Sequence, residues 1–568
     1  MNMTKPMKSA GRMADAASKY QPYPQIDLHD RTWPSRRIEK APVWCSVDLR
    51  DGNQALIDPM GHERKARMFA LLVDMGFKEI EIGFPSASQT DFDFARWAIE
   101  EAGVPDNVDL QVLVQCRPEL ITRTFEALEG ANTPIVHFYN STSELQRRVV
   151  FEKDVRGIKQ IATDAAKMIT DMAAKAGGGY RFQYSPESFT GTELEVALEI
   201  CNAVTEIVRP TPDNKLIINL PATVEMATPN IYADQIEWMC RQIDQRDSII
   251  ISLHPHNDRG TGIAATELGL MAGADRVEGT LFGNGERTGN VDVVTLALNM
   301  YTQGVDPMLD CSDINRMKDV YEYSNQLRIP ERHPYVGELV YTAFSGSHQD
   351  AINKGMKAIK KANQPCWEVP YLPIDPQDVG RSYEAIIRIN SQSGKGGIAY
   401  VLQADYGLNL PRNLQVEFRE EIQAITDTEG KEMPSRRIYD QFLESYVDQP
   451  GARLKFVDHN TYPDTANKGR RIIEAVITDG GREVKITGSG TGPVDGFVEA
   501  LSSHIGIPMN VLDYSEHSIQ RGSNASAICY MEIEHPGGRL FGAGISPNIV
   551  AASLEAIVSA ANRLLAQA

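Results

Sequence analysis

The chain has 568 residues, 42% hydrophobic and 23% charged, with a formal net charge of −19 at pH 7. This length suits about three to four domains, and the acidic balance disfavours nucleic acid as a main partner because there is no basic excess to neutralise phosphates. No uninterrupted apolar run approaches the ~20 residues of a membrane span, and the N-terminus lacks the apolar centre of a secretion signal. The seven cysteines are scattered without a CxxC pair, so no disulfide framework is indicated. We expect a cytoplasmic protein with no membrane segment and a flexible N-terminal arm over residues 1–42.

From residue 43 to about residue 303 the sequence repeats one pattern: a short run of β-forming residues, a polar loop and a longer helical stretch. The runs lie at residues 43–49, 79–84, 109–114, 134–140, 180–185, 215–220, 248–253 and 275–282. Several of the helical stretches close on a glycine, which suits a helix C-terminus. Eight such units predict an α/β fold of the (β/α)8 TIM barrel type. A doubly wound open sheet is the alternative, but it usually has fewer strands.

Acids, arginines and histidines cluster in the loops after these strands, where such a barrel places its chemistry. If the strand at residues 248–253 continues into the HPHND segment, His254 and His256 project to the same side. Asp51 follows the first strand and Asn290 follows the eighth, and these strands become neighbours when a barrel closes. The four side chains predict a site for a divalent ion, namely magnesium, manganese or zinc. Taken singly, each of two of these residues has an equally good structural explanation: Asp51 as the cap of a turn and Asn290 as the cap of a helix.

Three more residues on these loops have a chemical interpretation. Arg50, beside Asp51, can place a guanidinium next to a metal-bound carbonyl and stabilise developing negative charge, although a surface salt bridge is the alternative. Glu187 and Thr223, after the fifth and sixth strands, can orient a bound acid or take part in proton transfer.

Residues 452–568 contain an internal repeat that predicts a separate α+β domain with pseudo-two-fold symmetry. Residues 471–501 and 527–560 each fit a hairpin turning on Gly-Gly, a return strand ending in Gly-Ser-Gly or Gly-Ala-Gly, and a helix opened by a proline. The second return strand is expected to be shorter than the first. Acid and base candidates are few in these loops, so we expect a binding module, joined to the barrel (43–330) by linker subdomains (331–451).

Four segments carry a resemblance to a known family: DLRDGNQ (48–54), HPHND (254–258), GNGERTGN (283–290) and FSGSHQD (344–350). Together they resemble the 2-isopropylmalate synthases, members of the metal-dependent acyl-CoA condensing barrels, a superfamily that also holds homocitrate and citramalate synthases and hydroxymethylglutaryl-CoA lyases. The resemblance implies an acyltransferase of leucine biosynthesis. Its reaction is the Claisen-type condensation of acetyl-CoA with 3-methyl-2-oxobutanoate, followed by thioester hydrolysis to 2-isopropylmalate and CoA.

The resemblance also implies roles for individual residues. Metal ligands are implied at Asp51, His254, His256 and Asn290. Catalytic roles are implied for Arg50, Glu187, His348 and Tyr371. Contacts to the oxo acid are implied for Leu113, His137, Ser185 and Thr223. An acetyl-CoA contact is implied at Gly283, Gly285 and Gly289. In the family the histidine and the tyrosine of the linker serve the partner subunit's site, so a domain-swapped homodimer is implied.

The C-terminal repeat resembles the family's leucine-binding feedback domain. Effector contacts are implied at Gly490, Gly492, Val494, Val511, Tyr514 and Ala525. Asp495 and Ser518 stand where relatives carry small apolar residues, and a carboxylate near an apolar pocket has a desolvation cost, so leucine inhibition is a hypothesis here. Asn53 stands where many superfamily members have glutamate, which favours the longer isopropylmalate synthases over homocitrate synthases.

Three alternatives remain open. A related condensing enzyme could act on pyruvate or 2-oxoglutarate, although a dicarboxylate would require a further cation. A lyase that cleaves a carbon–carbon bond and an amino-acid sensor built on an inactive barrel belong to different classes. The effector-like domain argues against the lyase, and the complete set of site residues argues against the sensor.

Overall fold

The structure, a computed structural model, describes residues 20–343, 346–362, 366–381, 395–429, 433–519 and 525–567. Part of the predicted N-terminal arm (1–19), two residues of the 344–350 motif and parts of the predicted linker lie outside these ranges. The chain divides into two compact units. The first runs to Val340 and includes Pro376–Arg381, and the second comprises Tyr341–Asp375 and the chain from Ser382 onward.

The first unit contains a closed barrel of eight parallel strands in sequential order, with β8 pairing with β1. The strands are β1 Val43–Ser46, β2 Glu79–Glu81, β3 Asp109–Gln115, β4 Ile135–Ser141, β5 Arg181–Glu187, β6 Leu216–Ala222, β7 Ile249–Pro255 and β8 Arg276–Gly279. The predicted (β/α)8 barrel is therefore confirmed. β1 ends earlier than expected because the chain enters a π-helical turn at Asp48–Gly52.

A helix follows each strand, and a ninth follows the barrel. They are α1 His62–Met75, α2 Gln89–Glu100, α3 Pro118–Ala127, α4 Val155–Lys175, α5 Leu194–Val208, α6 Pro229–Gln242, α7 Gly262–Met271, α8 Val293–Tyr301 and α9 Ile314–Asn325. Local sequence sets several of their ends. Asp154 caps α4 by accepting a hydrogen bond from the backbone of Gly157, and Gly76 ends α1 with a φ of +97° that favours glycine.

The interior of the barrel is polar, unlike the branched apolar filling that is usual for this fold. Five completely buried side chains of this interior carry a charge or an amide: Glu81, Gln111, Gln183, Arg276 and Glu278. Since buried charges are costly unless they are paired and hydrogen-bonded, these groups must satisfy one another. They form the floor beneath the site described below.

The second unit has a helical part and a repeated α+β part. Its helices are α10 Gly346–Ala362, α11 Lys395–Tyr406, α12 Arg412–Glu429, α13 Ser435–Tyr446, α14 Pro493–Ile505 and α15 Ile549–Gln567. Its strands are β9 Leu454–Pro463, β10 Arg471–Asp479, β11 Arg482–Gly490, β12 Asn510–Ser518, β13 Ala527–His535 and β14 Gly538–Ser546. They form two antiparallel sheets, in the orders β11-β10-β9 and β12-β13-β14.

The predicted repeat of hairpin and helix is confirmed, but one detail is wrong: β11 and β14 are both nine residues long. The Gly-x-Gly ends of these strands are explained by close helix packing. A Cβ on Gly488 would collide with the carbonyl of Gly496 in α14, and one on Gly544 would collide with the carbonyl of Ala552 in α15. Glycine therefore allows each helix to lie directly on its return strand.

Helix α15 has the length and apolar composition of a membrane-spanning helix, with a mean hydropathy of 1.5, contrary to the expectation from the sequence. However, 56% of this stretch is buried inside the protein. Its buried residues, such as Ile557 and Leu564, belong to the core beneath the two sheets. Burial of this kind is typical of a core helix.

Candidate active site

A cavity of about 300 Å³ lies at the carboxyl ends of the barrel strands. The structure brings nine of the predicted site residues to its wall: Arg50, Asp51, Leu113, His137, Ser185, Glu187, Thr223, His254 and His256. These nine residues come from six different strands and the loops that follow them, so they meet in one place as the barrel topology requires.

Three of the predicted metal ligands converge in this cavity. Nε2 of His254 lies 3.5 Å and Nε2 of His256 lies 3.7 Å from Oδ2 of Asp51. Asp51 belongs to the buried π-helical turn, and such turns are frequent at functional sites. Asn290 lies beside His256 through an isolated β-bridge, and the next residue, Val291, donates its N–H to the carbonyl of Pro255 at 2.9 Å.

Among the predicted metal ligands, Asp51 Oδ2, His256 Nδ1 and Asn290 Oδ1 are buried and have no hydrogen-bond partner in the part of the chain that the structure describes, as is also true of Asn219 Oδ1 and Gln183 Oε1 in the barrel below. Unpaired buried acceptors cost free energy unless something binds them. One carboxylate, two imidazoles and one amide oxygen form a donor set that suits magnesium, manganese or zinc. The side chains therefore fit a divalent cation.

The electrostatics of the site agree with this donor set. Burial raises the pKa of Asp51, but Arg50 and the two histidines outweigh burial and hold that pKa well below its usual range. Burial lowers the pKa of His254, but the carboxylates of Asp51 and Glu278 prevail and raise it to about 9. Burial and the charge of His254 lower the pKa of His256 to about 4. One ligand proton must therefore leave when a cation binds.

Arg50 is fixed between two carboxylates at the cavity wall. Its Nη1 donates to Asp51 at 2.6 Å, and its Nε donates to Glu81. Burial lowers the pKa of Arg50, but Glu81 and Asp51 outweigh it, so that the guanidinium is charged throughout the ordinary pH range. The alternative of a surface salt bridge is wrong, because the side chain is 9% exposed. A buried planar cation in this position can stabilise negative charge that develops in the cavity.

Glu278 connects the barrel floor to the ligand His254. It accepts hydrogen bonds from His254 Nδ1 at 2.8 Å, from Arg276 at 2.7 Å and from Gln183 at 2.7 Å. Asn219 donates to it as well, at 3.1 Å. A carboxylate that binds one ring nitrogen of a histidine leaves the other nitrogen as the metal-binding one.

A second chain of hydrogen bonds lies along the wall. His137 bonds Glu81 through Nδ1 at 2.6 Å and Ser185 through Nε2 at 2.7 Å, and Asn219 donates to Ser185 at 3.0 Å. The polar atoms of His137 and Ser185 are thus used within the protein. Phe84 and Leu113 also line the cavity and contribute an apolar part of its wall.

Further along the same two strands, Glu187 accepts a hydrogen bond from Ser141. Thr223 is fixed by the backbone N–H of Ser188, which donates to its hydroxyl at 2.9 Å. Arg287 lines the cavity, donates to the carbonyl of Thr223 and pairs with Asp258 at 2.7 Å. The loops after strands β5 to β8 are in this way joined around the opening.

Three parts of the chain match models of known protein families. Residues 41–320 match the HMGL-like family, residues 338–403 match the post-catalytic domain-like family of alpha-isopropylmalate synthase, and residues 432–565 match the LeuA allosteric (dimerisation) domain. A 2-isopropylmalate synthase of Mesorhizobium japonicum is 84% identical over 97% of this chain and 99% of its own length. The chain belongs to the 2-isopropylmalate synthases. This confirms the resemblance inferred from its motifs.

A second relative agrees with that membership. A 2-isopropylmalate synthase of Rhizobium meliloti is 81% identical over 97% of this chain and 99% of its own length. Among solved structures, the HMG-CoA lyase of Bacillus subtilis is 19% identical, with a TM-score of 0.42 over 52% of this chain and 97% of that one.

The linker residues predicted to act in this synthase lie in the second unit. His348, in α10, and Tyr371 are both exposed, and their rings lie 4.0 Å apart between centroids. Tyr371 has a positive φ of 66°, a conformation that is costly for a bulky residue and often found at functional sites. The pair is thus formed within one chain, and its assignment to a partner's site stays a prediction.

The glycines of the GNGERTGN segment are required by the backbone. Gly283, Gly285 and Gly289 have φ values of +77°, +147° and +91°. A Cβ on Gly285 would collide with the amide of Asn290, and one on Gly289 would collide with the carbonyl of Gly283. These contacts support a tight turn that carries Asn290, and the acetyl-CoA contact stays a prediction.

The predicted effector positions are spread over β11, α14, β12 and the residues before β13. Val494 and Val511 pack against the same hydrophobic core, whereas Tyr514 is 54% exposed. Asp495 is exposed and accepts a hydrogen bond from the backbone of Thr491 at 2.8 Å. Its carboxylate is therefore solvated, and the expected desolvation cost does not arise within the chain.

The sequence interpretation missed the barrel floor. Its signal is present in the chain: Glu79 and Glu81 alternate within β2, and Arg276 and Glu278 alternate within β8. Charged residues at every second position of an otherwise apolar strand indicate that one face meets a polar interior.

Proposed function

We propose that this protein condenses acetyl-CoA with 3-methyl-2-oxobutanoate and hydrolyses the resulting thioester, which gives 2-isopropylmalate and CoA. The observation that supports this most directly is the cavity in which a divalent-cation donor set, the Arg50 guanidinium and an apolar wall meet. The family membership of the whole chain agrees with it. Magnesium, manganese and zinc all suit the donors.

The cation would be held by Asp51, His254, His256 and Asn290. When bound, it supplies Lewis-acid polarisation and a template for the two oxygens of the oxo acid. Arg50 stabilises the negative charge that moves onto the keto oxygen as the new carbon–carbon bond forms. Glu81 and Asp51 keep the guanidinium in place, so little reorganisation is needed during the reaction.

A base must remove one methyl proton from acetyl-CoA before the methyl carbon can attack the keto carbon. We assign this task to Glu187 or to His348 of the partner subunit, with Tyr371 beside the histidine. The keto oxygen gains a proton and becomes the product hydroxyl. Water then adds to the thioester carbonyl, CoA leaves as a thiol, and a carboxylate remains. Gly283, Gly285 and Gly289 are the proposed contact to acetyl-CoA.

The wall favours a branched apolar side chain over a second carboxylate. Phe84, Leu113 and Pro221 present carbon to the cavity, and the polar atoms of His137 and Ser185 are bonded to other protein groups. The additional cation that a dicarboxylate such as 2-oxoglutarate requires would have to be Arg287, but Asp258 already pairs with it. Homocitrate synthesis is therefore the weaker alternative, whereas citramalate synthesis from pyruvate, a monocarboxylate, is separated by the comparison of substrates.

Release of CoA thiol from acetyl-CoA tests this proposal. The rate is compared for 3-methyl-2-oxobutanoate, pyruvate and 2-oxoglutarate with magnesium or manganese, before and after chelation. We expect a metal-dependent preference for the branched oxo acid. A preference for pyruvate or 2-oxoglutarate would assign a different condensing activity. If none of the three oxo acids led to CoA release, the barrel would be a lyase or a sensor.

We further propose that the protein acts in the cytoplasm as a homodimer, with leucine as feedback inhibitor bound by the C-terminal domain at Gly490, Gly492, Val494, Val511, Tyr514 and Ala525. We divide the chain into an arm (1–42), the barrel (43–330), linker subdomains (331–451) and the regulatory domain (452–568). Leucine at millimolar concentration should lower the rate of CoA release, and an unchanged rate would refute the regulatory part of the proposal without affecting the catalytic part.

A further inference from the structure

Asn284 lies between the two loops that carry proposed metal ligands. Its side-chain Nδ2 donates to the carbonyl of Gly52 at 3.0 Å, immediately after Asp51. The backbone carbonyl of Asn284 accepts one hydrogen bond from the side-chain Nδ2 of Asn290 at 3.0 Å and another from the backbone N–H of the same residue at 3.3 Å. Because β1 and β8 pair with each other, this residue spans the closure of the barrel.

Asn284 is itself held by rigid neighbours. Its Nδ2 also donates to Oδ1 of Asn325 at 2.9 Å, and Asn325 is the last residue of α9, where it donates to the carbonyl of Tyr321. The hydroxyl of Thr280 donates to the Asn284 carbonyl at 2.7 Å. The side chain is buried. Since Nδ2 of Asn284 is committed to two fixed oxygens, the orientation of its amide is determined.

These bonds have a consequence for the ligand side chains. Asn290 uses its Nδ2 on the Asn284 carbonyl, so that its Oδ1 points elsewhere, and this buried Oδ1 accepts no hydrogen bond within the described ranges. The turn that contains Asp51 is held one residue further on, through the carbonyl of Gly52. The turn that carries Asp51 and the side chain of Asn290 are therefore both held by a single residue.

We propose that Asn284 is a positioning residue of the metal site, which holds the carboxylate of Asp51 and the amide of Asn290 in register with the two histidines. This inference rests on the proposed function, because it assumes that a divalent cation binds there. Residues that orient metal ligands commonly change metal affinity by 10- to 100-fold when they are replaced.

The test measures Mn²⁺ binding to the full-length, metal-free protein in the absence of substrates. Binding is monitored by calorimetry or by the electron paramagnetic resonance signal of free Mn²⁺. Asn284→Ala removes both side-chain hydrogen bonds but keeps the carbonyl that holds Asn290. We expect its dissociation constant for Mn²⁺ to rise about 10- to 100-fold. A merely structural role would lower the melting temperature of the metal-free protein and leave this constant unchanged.

Asn299→Ala is the matched control. Asn299 donates to Glu267 at 2.9 Å and accepts from Tyr335 at 2.8 Å, near the end of α8. This variant loses two comparable hydrogen bonds, and we expect its Mn²⁺ affinity to equal that of the wild type.

Gly52→Ala is a second test variant, and its Mn²⁺ affinity can be measured whether or not Asn284→Ala folds. The added Cβ would lie 3.2 Å from Nδ2 of Asn284, so the same contact is crowded from the other side, and we expect weaker Mn²⁺ binding. If the wild type binds Mn²⁺ but both variants bind it equally well, the inference about Asn284 is wrong. If the wild type binds no Mn²⁺, the proposed metal site itself is wrong.

Discussion

Glu278 accepts a hydrogen bond from Nδ1 of His254 at 2.8 Å, and Nε2 of the same ring lies 3.5 Å from Asp51. The carboxylate is completely buried and is also bonded by the completely buried Arg276. The tautomer of a proposed metal ligand is thus set by an ion pair inside the barrel. Metal binding and the stability of the barrel therefore depend on the same carboxylate.

Replacing Glu278 by glutamine should lower both the stability of the barrel and the affinity of the site for Mn²⁺. The variant removes one charge of a buried pair and leaves Arg276 partly uncompensated, so we expect the free energy of unfolding to fall by about 3 kcal/mol. Mn²⁺ affinity should fall about tenfold or more because His254 loses its charged partner. Urea denaturation and Mn²⁺ titration measure the two effects. Glu267→Gln is the control, and equal Mn²⁺ affinity in Glu278→Gln and the wild type would contradict the assigned role.

Replacing Arg50 by lysine tests the role of the guanidinium. A lysine keeps the charge but cannot reach Glu81 and Asp51 with a planar pair of donors. If Arg50 stabilises charge that develops during condensation, kcat should fall about 100-fold while the KM for 3-methyl-2-oxobutanoate changes little. Steady-state kinetics decide the matter. A raised KM with unchanged kcat would show that Arg50 contributes to substrate binding alone. The control is Arg123→Lys, because Arg123 forms an exposed ion pair with Glu126.

Local patterns were enough to predict the barrel and the ligands that converge in it. His254 and His256 have the two-residue spacing of a strand, and Asp51 comes directly after a strand. Both placements could be predicted from residues that are adjacent in the sequence. Glu81 and Glu278 were missed because their partners come from strands distant in sequence, among them Gln111 in β3. Buried networks of this kind depend on tertiary pairing rather than on local propensity.

The wrong length of the second return strand has a similar cause. Residues 538–546, GRLFGAGIS, contain three glycines, and glycine is depleted in strands. The structure shows that Gly542 and Gly544 lie against the backbone of α15, where a Cβ would collide. Close packing by the helix therefore outweighs the weak strand propensity of these residues.

The N-terminal segment before β1 is fixed to α6, and this contact should be sensitive to acid. Burial raises the pKa of Glu237, but hydrogen bonds from Thr32, Trp33 and Arg241 outweigh it and lower the pKa to about 2. Because this pKa lies below the ordinary 4.5, the ionised form stabilises the fold. The contribution is complete above pH 4.5 and is lost as the pH falls from there towards 2.

Glu237→Gln should therefore be less stable than the wild type by about 2 kcal/mol at pH 7, and the gap should shrink as the pH falls through 4.5. Urea denaturation at a series of pH values measures the gap. Glu100→Gln removes an exposed partner of Arg96 and should differ from the wild type by less than about 1 kcal/mol at every pH. A gap for Glu237→Gln that does not vary with pH would show that the carboxylate charge is not involved.

Mixed dimers can test whether His348 serves the partner's barrel. The Arg50→Lys and His348→Ala chains are co-expressed with different tags, and dimers carrying both tags are purified. If His348 acts in the partner's site, one of the two sites in each mixed dimer combines an intact Arg50 with an intact His348. Activity should then return to about half of the wild-type value, although each parent dimer is nearly inactive. If His348 acts within its own chain, both sites of the mixed dimer carry a defect, and activity should stay at the level of the parents.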